Sequence, residues 1–401
     1  MRSVLAGLLV IAALRDVAAN RAGGTSAYAA FRRQHRPGQS GFEDAVPFAT
    51  RLALFEARRA EVEAHNALPH ARWLAEVNRF ADFTDVERLA MLGYRRIGGH
   101  WGALAQAPAP AVGSFLEQQQ RRALAETVDW RQQLNHSSTF VRNQGACGSC
   151  WAVAAVGALE MHAEIAGAPP RELSYEQLVD CVPNQKHCGG DGGCKGATAE
   201  LAFEYVAKHG LADAGSYKGY ASGGDGRCRE PAKTSARIQG FVRLPENRLQ
   251  PLLRAVSTAG PLVVSVDASP WHSYGEGVFD GCQRDATVNH AVVLAGYGAD
   301  PVHGKYFLIR NSWGLDWGEA GFIRLQRHDA DAGEAGCCGT DYSPQEGVGC
   351  QDSPSEIPVC GMCGVLSDSS YPTKVRIADD AGAAALDGAG VRAQAGIREI
   401  S

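Results

Sequence analysis

The stretch Gln144-Gly145-Ala146-Cys147-Gly148-Ser149-Cys150-Trp151 places a cysteine where a glycine-rich turn meets an apolar, alanine-rich run. That run reads as a helix from Cys150 to about Ala166, stopped by Gly167-Ala168-Pro169-Pro170. A thiol at a helix N-terminus sees partial positive charge, which favours the thiolate, the reactive form of cysteine. The glycines permit tight turns and close approach of another chain. Three other readings of the same residues stand beside this one. Cys147-x-x-Cys150 has the spacing of a redox pair, although no strand precedes it. With Cys360-x-x-Cys363 it has zinc-ligand spacing, although some 210 residues intervene. A structural disulfide accounts for one of the two cysteines but not for Gln144 and Trp151.

A nucleophilic thiolate needs a base and a group that orients it. Asn289-His290-Ala291-Val292-Val293 puts a histidine at the start of an apolar strand, where a lone histidine is usually a core residue. Its company argues otherwise. Asn311-Ser312-Trp313-Gly314 follows 21 positions later, with Trp317-Gly318 close behind. An asparagine amide oxygen accepts from one imidazole nitrogen and leaves the other for the thiol. Trp313 is placed to shield that hydrogen bond from water. His290 lies 140 positions after Cys150 and Asn311 lies 161 after it.

Outward from this block, Ser174-Tyr175-Glu176-Gln177 is a capping box opening a helix through Val179, and Thr198–Lys208 is a further helix before Gly210. Four short runs then read as strands: Pro261–Asp267, His290–Ala295, Tyr306–Arg310 and Phe322–Leu325. Helices first and strands later predict an α+β body with two subdomains and a cleft, over residues 124–376. Residues 20–123 differ in character. They carry no cysteine, a helical pattern over Phe48–His65 broken by Asn66-Ala67-Leu68-Pro69, and a shorter one over Asp85–Leu92. The linker Ala105–Ala111 and the dibasic pair Arg121-Arg122 follow, the pair a candidate cut site. Residues 1–19 read as a secretory signal, with Leu5–Leu14 as its apolar core and cleavage after Ala19. The segment 377–401, rich in Ala, Gly and Asp, is expected to be a disordered tail.

All twelve cysteines lie at or beyond Cys147, which suits an oxidising compartment. Asn135-His136-Ser137 is a glycosylation acceptor at Asn135 if it lies on a surface loop. The net charge of −5 gives no footing for nucleic acid, and no apolar run reaches the roughly 18 residues of a membrane span.

Taken together, these motifs resemble the papain family of cysteine proteases, in its cathepsin L-like branch, over roughly residues 47–374. Val128-Asp129-Trp130-Arg131 is similar to the opening of the mature enzyme. Leu173–Cys181 is similar to a family helix, and Gly296-Tyr297-Gly298 and Asn311-Ser312-Trp313-Gly314 to later blocks. The 20–123 segment resembles the family's inhibitory prosegment. Arg51, Phe55, Val62 and Asn66 stand at the spacing of its helix, and Asn78–Thr84 resembles its second motif. Pro47, Arg58 and Glu76 depart from that pattern, standing where the family has Glu, Asn and Gly.

The resemblance implies a helical left domain and a barrel-like right domain, with Cys150 and His290 facing across the cleft. It implies Asn311 as orienting residue, and Gln144 with the Cys150 N–H as oxyanion hole. The substrate-binding set it implies is Gly196, Thr198, Ala199, Asn289, Trp313 and Asp368. Asp368 falls at the floor of the pocket for the substrate side chain two residues before the cut bond, where an ionised carboxylate would pair with arginine. Implied disulfides are Cys147–Cys194, Cys181–Cys228 and Cys282–Cys363. Cys188, Cys337, Cys338, Cys350 and Cys360 remain, an odd number, four of them in a long insertion between Arg327 and Cys363. The implied activity is endopeptidase, with polypeptide substrates, the prosegment as intramolecular inhibitor, cystatin-like inhibitors as further partners, and a monomer without metal or cofactor. The expected destination is the secretory route, ending in a lysosome, a vacuole or outside the cell. A non-catalytic binding or storage protein on this fold, and a peptide ligase, are the alternatives.

Overall fold

In the computed structural model the described residues are 26–36, 45–94, 124–220, 226–231, 233–329 and 337–378. They fall into two compact units, one of residues up to Leu89 with His272–Gly275, the other of Ala90–Trp271 with Glu276 onward. The signal at 1–19, the linker, the pair Arg121-Arg122 and positions 379–401 lie outside the described residues.

The first unit is built on two helices, 26–35 and Phe48–Asn66. The second has Arg51, Phe55, Arg58 and Val62 on its buried face, the three- and four-residue spacing of one helical stripe. Tyr28, Phe31, Phe55 and Ala81 make its apolar core. Polar groups hold the turn around Asp82, which is fully buried. Its carboxylate pairs with Arg36 at 2.7 Å and accepts from the Tyr28 hydroxyl at 3.0 Å. Arg51 grips Glu87 with both terminal nitrogens, at 2.5 and 2.6 Å, and also donates to the Asp82 carbonyl. Arg58, an apparent departure from the family pattern, donates to the carbonyls of Ala81 and Phe83 and to Asp85. Its long side chain thus closes the same turn. The second helix of this segment ends at Leu89 rather than Leu92. Met91, Leu92 and Tyr94 are instead buried in the second unit, which begins at Ala90.

The second unit centres on the helix Cys150–Ile165, buried along nearly its whole circumference. Helices Tyr175–Cys181 and Ala199–His209 share its core cluster, which also takes in Val263, Ala291 and Val293 from the sheet. The capping box is realised, with the Ser174 Oγ accepting from the Gln177 N–H. Arg142 and Glu160 form a buried ion pair at 2.5 Å, and Glu160 also accepts from the Leu173 N–H, so the charges are hydrogen-bonded as well as paired.

The sheet runs in the order Tyr274–Phe279, Phe322–Gln326, Gly304–Arg310, His290–Asp300, Leu262–Val266, Ser369–Thr373, Gly240–Arg243. The four expected strands are all present, the second running on to Asp300. Val128–Asp129 pairs with Tyr297 and Gly296. A β-carbon at Gly296 would sit 2.0 Å from the Val128 carbonyl oxygen, which explains the glycine there. The amphipathic helix Leu249–Thr258 and the hairpin Cys338–Asp341/Ile357–Cys360 were not legible in the residue pattern. At the far end, Ile377 pairs with Ala236 and the Ala378 N–H donates to the Ser235 carbonyl, so the expected tail starts inside a paired segment.

Glu87 gives the first unit an acid sensitivity. Burial pushes its carboxyl up, but the Arg51 guanidinium and the N–H and hydroxyl of Thr84 outweigh this and hold it below the ordinary 4.5. A depressed carboxylate contributes stability above its unfolded value and loses it as pH falls through the folded one. Hydrogen exchange in the Phe48–Asn66 helix of the full chain is therefore expected to accelerate as pH drops below about 4.5. Glu87→Gln should flatten that dependence and raise exchange at neutral pH. An unchanged pH profile in the variant would exclude Glu87 as the titrating contact.

Candidate active site

Cys150 is the first residue of the central helix and is fully buried. Its Sγ accepts from the Ala291 N–H at 3.1 Å, and the N–H groups of Gly93 and Trp151 also point to it. Burial pushes the thiol up to about 12, against the pull of those three N–H groups. Burial thus opposes the thiolate that the helix start and these N–H groups favour. Desolvation under residues 91–94 outweighs the helix terminus and the donors. Gly93 makes that cover. A β-carbon there would lie 2.0 Å from the Cys150 Sγ and 3.2 Å from the Gly148 carbonyl oxygen.

His290 opens the long strand His290–Asp300, and Ala291 beside it is the donor to the thiol. The His290 Nε2–H donates to the Asn311 Oδ1 at 2.8 Å. Its Nδ1 has no hydrogen-bond partner among the described residues. Burial pushes the imidazole down to about 4, with Asn311 pulling the other way. Trp313 lies with its ring centroid 5.2 Å from that of His290 and is fully buried. It covers the His290–Asn311 pair.

Gln144 reaches the same place from the turn before the helix. Its Nε2 donates to the Met91 carbonyl at 2.9 Å and to the Cys147 carbonyl at 2.9 Å. Its Oε1 accepts from the Ser312 hydroxyl at 2.5 Å, which fixes the amide's orientation. Ser312 lies inside the Asn311-Ser312-Trp313 block, yet no sequence signal marked it out.

Two of the other expected residues, Gly196 and Asn289, meet the segment 91–94 directly. Gly196, with φ of +97°, has the carbonyl oxygens of Gly93 and Gly189 each 2.1 Å from where a β-carbon would sit. Asn289 accepts the Tyr94 N–H on its main-chain carbonyl at 3.0 Å. Its side chain turns away to Asp267, Ser269 and Ala268. Thr198 and Ala199 are buried next to Glu200. Asp368 is also buried, and its carboxylate is engaged. Ser265 Oγ donates to it at 2.6 Å, and an Arg243 nitrogen lies 3.5 Å away. An open acidic floor awaiting a guanidinium is thus not what the structure has. Glu200, which sequence reasoning missed, accepts from the Ser370 hydroxyl at 2.5 Å. Burial and the nearby Asp368 raise it to about 7. A charged residue at the start of an apolar helix was the one signal that would have found it.

Residues 124–345 match the family model for papain family cysteine proteases. The chain belongs to that family. The protease is 34% identical over 306 residues to a senescence-specific cysteine protease of Oryza sativa subsp. japonica, covering 76% of this chain and 85% of the relative. It is 30% identical to cathepsin L of Sarcophaga peregrina, over 93% of this chain and all of that one. Among solved structures, a recombinant stem bromelain precursor superposes with a TM-score of 0.66 at 28% identity, covering 88% of this chain and 99% of that chain. The matched family stretch contains Gln144, Cys150, His290 and Asn311 and ends before Asp368.

Around this site the protease has disulfides Cys147–Cys194, Cys181–Cys228 and Cys282–Cys363. Two more resolve four of the five cysteines left open by sequence: Cys188–Cys350 and Cys338–Cys360. Cys337 Sγ lies 3.9 Å from Cys338 Sγ. The insertion is thereby tied down beside the site. Its Val348 N–H donates to the Val288 carbonyl, two residues before His290, and its Gly349 carbonyl accepts from the Gly189 N–H. Asn135 is exposed, with its main-chain N–H donating to Glu164, while Ser137 of the same acceptor motif is buried against that carboxylate.

Gly93 yields a direct test. Overpacking by one methyl typically costs about 1–3 kcal/mol, or roughly tenfold to a hundredfold in an opening equilibrium. Gly93→Ala in the full chain should therefore raise the rate of Cys150 alkylation by iodoacetamide at neutral pH by at least about tenfold. Peptide mapping by mass spectrometry reads the site. A rate equal to that of the unaltered chain would show that 91–94 do not control access to the thiol.

Proposed function

We propose that this protease hydrolyses peptide bonds as an endopeptidase, with Cys150 as nucleophile, His290 as acid and base, Asn311 as the residue orienting His290, and Gln144 as an oxyanion donor. The convergence of Cys150, the His290–Asn311 hydrogen bond and the Gln144 amide around one buried point carries the reading. His290 takes the thiol proton as the sulfur attacks the substrate carbonyl. The oxyanion that forms takes a hydrogen bond from the Gln144 Nε2, which here holds the Met91 carbonyl. His290 then gives its proton to the leaving amine, and a thioester remains. Water, deprotonated by His290, attacks the thioester, and the acid product leaves with the thiol restored.

The chain is, on this reading, a precursor held off by residues 20–123. In the covered state the proton sits on sulfur and the imidazole is neutral, because burial disfavours charge on either. Removal of 91–94 admits water and substrate together. Signal-directed entry into the secretory route, with glycosylation at Asn135, agrees with five disulfides among the described residues. A storage or binding role finds no support in the intact set of four residues.

The matured enzyme should be labelled at Cys150 by an epoxide or iodoacetamide at mildly acidic pH, before any other cysteine, with activity lost in proportion. Rapid labelling elsewhere with activity retained would overturn the assignment. Gln144→Ala should lower kcat by about 10²–10³ with little change in KM, as expected for a donor used in the transition state. An equal rise in KM with kcat intact would instead place Gln144 in ground-state binding.

A further inference from the structure

Tyr94 is a ring and a hydroxyl held by the site itself. The ring is buried in the core cluster shared by the central helix. It passes over Gly189, where a β-carbon would come within 2.9 Å of the Tyr94 Cδ1. The hydroxyl reaches Ser265 Oγ at 2.9 Å. Ser265 has a single hydroxyl hydrogen, and it is donated to Asp368 at 2.6 Å. The phenol must therefore be the donor, and Ser265 the acceptor. Arg243 stands beside Asp368 at 3.5 Å and Glu200 accepts from the Ser370 hydroxyl, so both carboxylates at the inner end of the pocket are already engaged.

We propose that this pocket, in the active enzyme, selects tyrosine over phenylalanine and leucine as the substrate residue two before the cut bond, with Ser265 reading the phenol hydroxyl. The proposal rests on the function argued above and names its substrate class. The aromatic slot over Gly189 sets the shape, and the Ser265 oxygen, aligned by Asp368, sets the chemistry. A phenylalanine fills the slot and leaves a buried acceptor unmet. Leucine fills neither.

The test uses fluorogenic acyl-dipeptide amides that differ only in Tyr, Phe or Leu at that position. With matured enzyme, kcat/KM for Tyr should exceed that for Phe by about tenfold, the upper range for one neutral buried hydrogen bond. Ser265→Ala should bring the ratio near one, while measurable hydrolysis of the Phe substrate shows the variant to be folded. A ratio at or below one in the unaltered enzyme, or a preference that survives Ser265→Ala, overturns the proposal. A second arm needs no turnover. In the full chain, Tyr94→Phe should speed alkylation of Cys150 severalfold, since the same hydrogen bond holds the covering strand; an unchanged rate also overturns it. Absence of all hydrolysis by matured enzyme would count against the proposed function, and the Tyr94→Phe arm would still decide the pocket.

Discussion

The hydrogen bond from the Ala291 N–H to the Cys150 sulfur joins the first residue of the central helix to the residue after His290. It is one contact between the helical and the sheet halves of the second unit, and the site exists only where they meet. Helix and strand can come so close because the residues between them are small or shaped to pass. Gly157 on the helix leaves room for Arg310, whose guanidinium would lie 2.0 Å from a β-carbon there. Arg310 in turn binds the carbonyls of Ser137 and Phe140. The buried charge is tolerated because those carbonyls satisfy its donors, although burial still lowers its pKa to about 10. Thus a glycine in the helix, a buried arginine in the sheet and the turn at 137–140 are one arrangement, and the Cys150–Ala291 contact sits within it.

Much of this was legible because the chemistry imposes local patterns. A thiol at a helix start, a histidine at a strand start and an asparagine beside tryptophans are each short-range features, and their order in the chain was visible. The helix Tyr175–Cys181 was marked by its own cap. What stayed hidden depends on contacts between distant residues. Ser312 orients Gln144 across 168 positions, and Ser265 meets Asp368 across 103. Serines are too common for either to stand out. The engagement of Asp368 by Arg243 spans 125 positions, which is why an open acidic floor was the natural expectation. The insertion hairpin was hidden for another reason. Its strands are short and rich in Cys, Gly and Pro, and cysteine pairing cannot be deduced from spacing.

The state of the proton is the least sequence-like property of all. From the helix start alone, Cys150 should be a thiolate; from its neighbours alone, His290 should be basic. Both expectations concern an open site. Under Gly93 both groups lose water, and each is driven to its neutral form. An ion pair formed under that cover would have to repay two desolvation penalties with one attraction, and buried pairs often fail to do so. On the proposed mechanism, the covering segment 91–94 therefore opposes reaction twice. It holds the Gln144 amide with the Met91 carbonyl, where the proposed oxyanion would bind. It also removes the solvent that makes the charged nucleophile accessible. Both effects depend on the close passage of Gly93 over the sulfur, but they need not be lost together. A loosened strand that still occluded substrate would already expose a more ionised thiol, whereas a strand shifted along the site but equally tight would leave the sulfur protonated. The reactivity of Cys150 thus reports the tightness of its cover, independently of whether a substrate can enter.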